Sequence, residues 1–212
     1  MGHFFTAKLF KWKVDKISLY PYGGVSSFKE DLNKPLKEEF LILIMGPFLQ
    51  IVFFLILKSF ISSSTTLEIL TNYHYSLLFF NLLPVYPLDG GRLLQLIFSL
   101  FSSYKKSYHL SLLFSFFTLF FISTLLGLDL FSTQLFLVII LLLSKLIEAY
   151  KKRNFYYQRF LLERYLKNYN FIKVKKVDSV DKMMRDHIHL VKEGEKYVFE
   201  KRALAKYFKS SI

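Results

Sequence analysis

Asn81-Leu82-Leu83-Pro84-Val85-Tyr86-Pro87-Leu88-Asp89-Gly90-Gly91-Arg92 decides how this chain is read, because it sets two prolines and a carboxylate inside an apolar stretch, residues 75–101. Proline removes a backbone donor and clashes with the preceding turn, so no regular helix is expected across residues 84–87. A carboxylate at lipid depth costs roughly 2.5–3.5 kcal/mol on insertion scales, so Asp89 needs compensation. Two readings follow. In one, unwound backbone lines a covered, hydrated cavity where Asp89 faces a cation or metal. In the other, Asp89 sits at the membrane edge as the N-cap of a helix that runs from Gly90.

The surrounding chain favours a membrane setting. It has 212 residues, 53% of them hydrophobic, against about 45–50% for a soluble domain. The apolar residues concentrate between positions 40 and 149, and the charges gather elsewhere. Residues 40–57 carry no charge and suffice to cross a ~30 Å core. Gly46-Pro47 interrupts this span, a kink that neighbouring helices can cover. Residues 59–73 are polar and read as a loop with at most one short helical turn. Further spans are expected at 75–101, 110–126 and 134–147, four in all.

Basic and non-basic loops alternate. Seven lysines lie between Lys8 and Lys37, none in 59–73, Lys105 and Lys106 follow the second span, none lie in 127–133, and Lys151-Lys152-Arg153 follows the last. The positive-inside rule then places the basic segments and the tail in the cytosol. The net charge of +13 is read as topology, and no nucleic-acid partner is expected. The lipid bilayer is the partner that composition implies. The N-terminus lacks the pattern of a signal peptide. With no cysteine, disulfides and thiolate ligands are excluded.

The tail changes character. Residues 151–170 form a basic, aromatic, helical linker at the membrane surface. Residues 171–212 read as a small α+β module. Strands are expected at 171–177, 188–191 and 197–200, a short helix at 180–186, a Glu193-Gly194 turn and a helix at 203–208. About 40 residues make a marginal core, so the module should lean on a partner, a second copy or the membrane domain. The fold class is therefore an α-helical multi-pass membrane protein with four spans, a membrane-associated β-hairpin and a small cytosolic α+β tail.

The Asn81–Gly90 run resembles the N-x-x-P-x-x-x-L-D-G motif of the site-2 family of intramembrane zinc proteases, and every fixed position matches. The resemblance implies a Zn2+ cofactor with Asp89 as a ligand, and Asn81 and Pro84 at the substrate-side wall. The family supplies two imidazoles and a general-base Glu from H-E-x-x-H, whose i, i+4 spacing puts both His on one helix face. Met1-Gly2-His3 fits the last three letters, which makes His3 a second metal ligand. The first His and the base are expected just before Met1, so no catalytic residue is assigned within the chain. Pro21-Tyr22-Gly23-Gly24 resembles the family's P-x-G-G hairpin, implying a substrate-binding role for Gly23 and Gly24 on an edge able to pair with an extended segment. Met45-Gly46-Pro47-Phe48-Leu49-Gln50 resembles its G-P-x-x-N helix, with Gln50 in place of Asn.

The tail resembles the stage IV sporulation protein FB branch of the family. That implies a CBS-like cytosolic domain at 171–212 behind a metalloprotease core at 1–150, although the module is short for a full CBS pair. It also implies a membrane-tethered substrate of the pro-sigma-K kind and regulatory membrane proteins as partners. Self-association into a homo-oligomer is compatible with the sequence. The missing motif letters have two explanations: a truncated reading of an active enzyme, which is favoured because a helix that begins inside the bilayer is physically awkward, or a pseudoprotease. A transporter-like or scaffold membrane protein is the competing class, but no internal repeat supports it. His74 and His109 are expected at the outer and inner interfaces in structural roles. His187 and His189 alternate on a tail strand, where a two-His metal site is the alternative to structural roles.

Overall fold

The computed structural model describes residues 2–12, 14–20, 23–28, 32–127 and 133–210. Helix α1 (Gly2–Leu9) leads into an antiparallel hairpin of β1 (Val14–Tyr20) and β2 (Gly23–Phe28), in which Leu19 pairs with Gly24 and Tyr20 with Gly23. The turn residues Pro21 and Tyr22 lie outside the described residues. Helix α2 (Leu36–Phe60) continues through Pro47 without a break. Then follow α3 (Ser64–Leu82), α4 (Asp89–Phe101), α5 (Tyr104–Gly127) and α6 (Thr133–Lys151).

The loop expected over 59–73 is mostly helix. Ser63 caps α3, its hydroxyl accepting the Thr66 N–H, and Thr71 returns its hydroxyl to the Leu67 carbonyl. Side-chain oxygens thus satisfy a first turn that composition alone reads as coil. The proline expectation holds. Helix stops at Leu82, residues 83–88 turn, with a cis bond between Tyr86 and Pro87, and α4 starts at Asp89.

Among the described residues, two helices are long and apolar enough to cross a membrane, Leu36–Phe60 and Tyr104–Leu125. The other expected spans do not meet that measure. The second is split into a polar-flecked α3 and an α4 of 13 residues, about 20 Å of helix against a ~30 Å core. The last carries Lys145, Glu148 and Lys151 in its final third. Residues 128–132 of the predicted outer loop lie outside the described residues.

The inner core gathers around the turn. Val85 is fully buried among Leu112, Leu119, Leu142 and Leu146. The Tyr86 N–H donates to Ser115 Oγ at 3.0 Å, which ties the turn to α5. Outward, Phe53, Phe79 and Phe117 are more than half exposed.

The tail follows the expected order: α7 (Arg153–Leu166), β3 (Lys173–Val177), a 3-10 turn (Val180–Lys182) where a longer helix was expected, β4 (His187–Glu193), β5 (Lys196–Phe199) and α8 (Glu200–Ser210). β3 runs parallel to β4, and β5 antiparallel to it. Gly194 takes the left-handed conformation (φ 63°) that its hairpin needs. The module leans on the rest of the chain. Tyr104, at the start of α5, stacks on Phe160 with ring centres 4.3 Å apart. The segment between hairpin and α2 is also gripped. The Leu32 N–H donates to Glu163 (2.6 Å), the Asn33 amide to the Phe160 carbonyl (3.0 Å) and the Leu36 N–H to Asp186 (3.0 Å), while Arg185 pairs with Glu39 at 2.7 Å.

Arg164 is the keystone of the tail. Its side chain is 0% exposed, donates to the Met184 and His187 carbonyls and stands 3.7 Å from Glu200. Burial pushes its guanidinium below the ordinary value, against the pull of Glu200. Removing one member of a buried pair strands the other and costs about 3–5 kcal/mol. Arg164→Leu is therefore expected to expose the tail to limited proteolysis while the helices before residue 150 stay resistant. An unchanged digestion pattern would refute the keystone role.

His189 is buried beside it. Its Nε2 accepts the Met184 N–H at 3.0 Å, so the proton sits on Nδ1, 3.2 Å from Glu200. Both ring nitrogens are engaged, and the two-His metal site is not assembled: the His187 Nδ1 bonds the Arg185 carbonyl instead. Burial holds His189 below its ordinary 6.5. Burial also raises Glu200, but the His189 hydrogen bond and the Arg164 charge outweigh it and leave the carboxyl below 4.5. Groups that bind fewer protons folded than unfolded give stability that acid removes. The His189 share is present above pH 6.5 and fades below it, and the Glu200 share fades only below 4.5. Thermal digestion of the tail should thus set in at lower temperature on going from roughly pH 7.5 to roughly 5.5. A flat profile across that window contradicts the assignment.

Candidate metal centre

Helix α1 crosses α2 where α2 has no side chain. A Cβ placed on Gly46 would lie 2.2 Å from both Cε1 and Nε2 of His3, so the imidazole rests directly on the α2 backbone. The ring is oriented from behind. His3 Nδ1 lies 2.8 Å from the Ile42 carbonyl. A carbonyl only accepts, so Nδ1 carries the proton. This is the outer-sphere arrangement that fixes the tautomer of metal-binding imidazoles.

Asp89 arrives from the other side. It is the first residue of α4 and projects from the end of the 83–88 turn. A Cβ on Gly90 would fall 2.1 Å from the Leu82 carbonyl oxygen, so only glycine lets α4 begin hard against the end of α3. Of the two readings of Asp89, the capping one is not met: Leu88 is the N-cap of α4, no side-chain cap hydrogen bond is made, and Asp89 faces an imidazole in a covered place. His3 Nε2 and Asp89 Oδ2 are 3.1 Å apart, with side chains 26% and 23% exposed.

The pairing is chemically incomplete as a neutral one. With the proton on Nδ1, a neutral ring turns the Nε2 lone pair toward carboxylate lone pairs. Two acceptors at 3.1 Å need a cation between them, either a second ring proton or a metal ion. The separation is near the ~3.3 Å expected between two ligands of a tetrahedral ion with bonds of ~2.0–2.1 Å. The residues present therefore fit a zinc ion. Among the described residues no third His, Cys, Asp or Glu joins them.

The other expected site residues are placed less directly. Asn81 lies in the last turn of α3, Pro84 in the following turn, and Gly23 and Gly24 begin β2 opposite Tyr20 and Leu19. Among the described residues no hydrogen bond or ion pair joins any of the four to His3 or Asp89. The Gln50 amide serves elsewhere, donating to the His74 carbonyl at 3.1 Å. The His74 ring is buried and stacks on Phe54, ring centres 4.0 Å apart. The Ile42 carbonyl and the bare surface of Gly46 were not expected as parts of the site. A backbone acceptor leaves no mark in a sequence, and a helix glycine reads the same whether it faces lipid or an imidazole.

The family model "Peptidase family M50" matches residues 1–66 and 58–126. Stage IV sporulation protein FB of Bacillus subtilis is 36% identical over 170 residues, which is 78% of this chain and 59% of that protein. A zinc metalloprotease of Methanocaldococcus jannaschii is 35% identical over 114 residues, 50% of this chain and 33% of that protein. The chain thus spans about three fifths of the first relative's length and a third of the second's.

Proposed function

The chain belongs to peptidase family M50, and on that footing we propose that it is an intramembrane zinc metalloendopeptidase that cuts a membrane-tethered precursor. The observation that carries the reading is the His3–Asp89 pair, two acceptors held 3.1 Å apart across two helices. His3 and Asp89 would hold the metal. The remaining imidazole and the general-base Glu enter only as the family pattern has them, one helical turn ahead of His3. Bound zinc supplies Lewis acidity, polarising a scissile carbonyl and acidifying water.

The chain's own residues do the rest. The Ile42 carbonyl holds the His3 tautomer, and Gly46 leaves room for the ring. The 83–88 turn, anchored through Ser115, keeps Asp89 in place. Asn81 and Pro84 border the approach to it, and the Gly23–Gly24 end of the hairpin offers an edge to an extended substrate strand. Four membrane passes, with the basic loops and tail in the bacterial cytosol, complete the proposal, and a CBS-like role for residues 171–212 belongs to it as well.

The similarity to stage IV sporulation protein FB favours a precursor of the pro-sigma-K kind as substrate, with regulatory membrane proteins alongside. Co-expression of the intact gene product with such a precursor should yield a shortened product on a blot. Full-length precursor alone, with the enzyme present in the membrane fraction, would leave the pseudoprotease reading standing.

A further inference from the structure

Away from the metal pair, a cavity of about 340 Å³ opens where the start of α5 meets the α6–α7 junction. Its polar lining is Ser103, Lys105, Lys106, His109, Arg153 and Asn154, over an aromatic floor. Among the described residues no Asp or Glu lines it. Lys105 is partly neutralised by Asp181 at 2.9 Å and lies 5.0 Å over the Tyr157 ring. Arg153 is braced on Tyr150, its guanidinium carbon 3.9 Å from the ring centre. Among the described residues, neither Lys106 nor Arg153 pairs with a carboxylate. Two uncompensated cations, one held against a ring, thus share a concave site with hydroxyl, amide and imidazole donors.

The geometry points to a binding site for a phosphate group, presented by an anionic membrane lipid. Position identifies the source. The cavity lies at the foot of α5, which is long and apolar enough to cross a membrane. Phe116, Phe117 and Phe120 stand more than half exposed further along that helix. A headgroup in the cavity would leave its acyl chains against that apolar face. Basic pockets at the cytosolic ends of helices are the places where anionic headgroups dock. The inference rests on the proposed embedding of α5 and α6, not on the metal chemistry.

Native mass spectrometry of the full chain from neutral detergent, titrated separately with phosphatidylglycerol, phosphatidylcholine and inorganic phosphate, tests it. Phosphatidylglycerol should be retained in preference to phosphatidylcholine. Lys106→Gln and Arg153→Gln should each lower that retention about fivefold, as expected for one cation near an anionic surface. Failure of inorganic phosphate to displace the lipid assigns a lipid headgroup, whereas displacement assigns free phosphate as the natural occupant of the same site. Equal retention of phosphatidylglycerol by wild type and both variants, or no preference over phosphatidylcholine, overturns the site. Lys106 is exposed and Arg153 half-buried, both outside the metal pair, so zinc content measured on the same samples should not move. A failure here and a failure of the protease reading are therefore distinguishable.

Discussion

Replacing Asp89 by Asn is expected to strip zinc from the intact gene product and to lower precursor cleavage by more than the about 100-fold that loss of an outer-shell partner can cost. The substitution keeps shape and removes charge. An amide can donate to His3 Nε2, which lies 3.1 Å from Asp89 Oδ2 and is free to accept because Nδ1 carries the ring proton and donates it in a hydrogen bond to the Ile42 carbonyl. The new pair satisfies itself, and nothing is left that needs a cation. The fold should survive, because Asn also suits the first turn of a helix and the forfeited charge–dipole term is only about 0.3–1 kcal/mol. Zinc content, cleavage and thermal stability measured together check this. A variant that keeps its zinc and its activity contradicts the ligand role of Asp89.

Gly46→Ala separates site from fold even more sharply. Alanine favours helix over glycine by about 1 kcal/mol, so α2 should be as stable as before or more so. Yet the added methyl would stand 2.2 Å from Cε1 and Nε2 of His3, far inside contact distance. Those two atoms belong to a ring pinned on one side by Ile42 and facing Asp89 on the other, so the ring must leave the site. Zinc retention and cleavage are expected to fall at least about tenfold, equivalent to about 1.4 kcal/mol, with melting unchanged or raised. Normal zinc and activity in this variant would show that the ring does not sit on the α2 backbone during function.

Much of this was legible in the residues. Pro84 and Pro87 announced the break before Asp89, because proline acts locally and its effect does not depend on the tertiary surroundings. The tail strands and the Gly194 turn were legible for the same reason. Residues 64–73 were not: one cap at Ser63 converts a polar stretch into a helix, and apolar periodicity carries no trace of it. Of the four spans read from the apolar runs, two are matched by helices long and apolar enough to cross a membrane among the described residues. Counting apolar runs joins α3 to α4 across a turn and treats α6 as uniform despite the charges at its end. Within the site, His3 and Asp89 were found from motif letters, whereas Gly46 and the Ile42 carbonyl were not. Their contribution is to leave space and to offer a backbone oxygen, and neither is a property of residue type. The dependence of the tail on Leu32, Asn33 and Tyr104 was anticipated only as a need for some partner, since a small core shows that it is incomplete without showing what completes it.

Zinc K-edge absorption fine structure on the intact gene product, compared with His3→Ala and Asp89→Asn, measures the pair most directly. The account predicts a nitrogen and oxygen shell at about 2.0–2.2 Å, with imidazole scattering reduced in His3→Ala and the shell disrupted in Asp89→Asn. A zinc shell that is identical in all three proteins would mean that the ion, wherever it binds, is not held by His3 and Asp89.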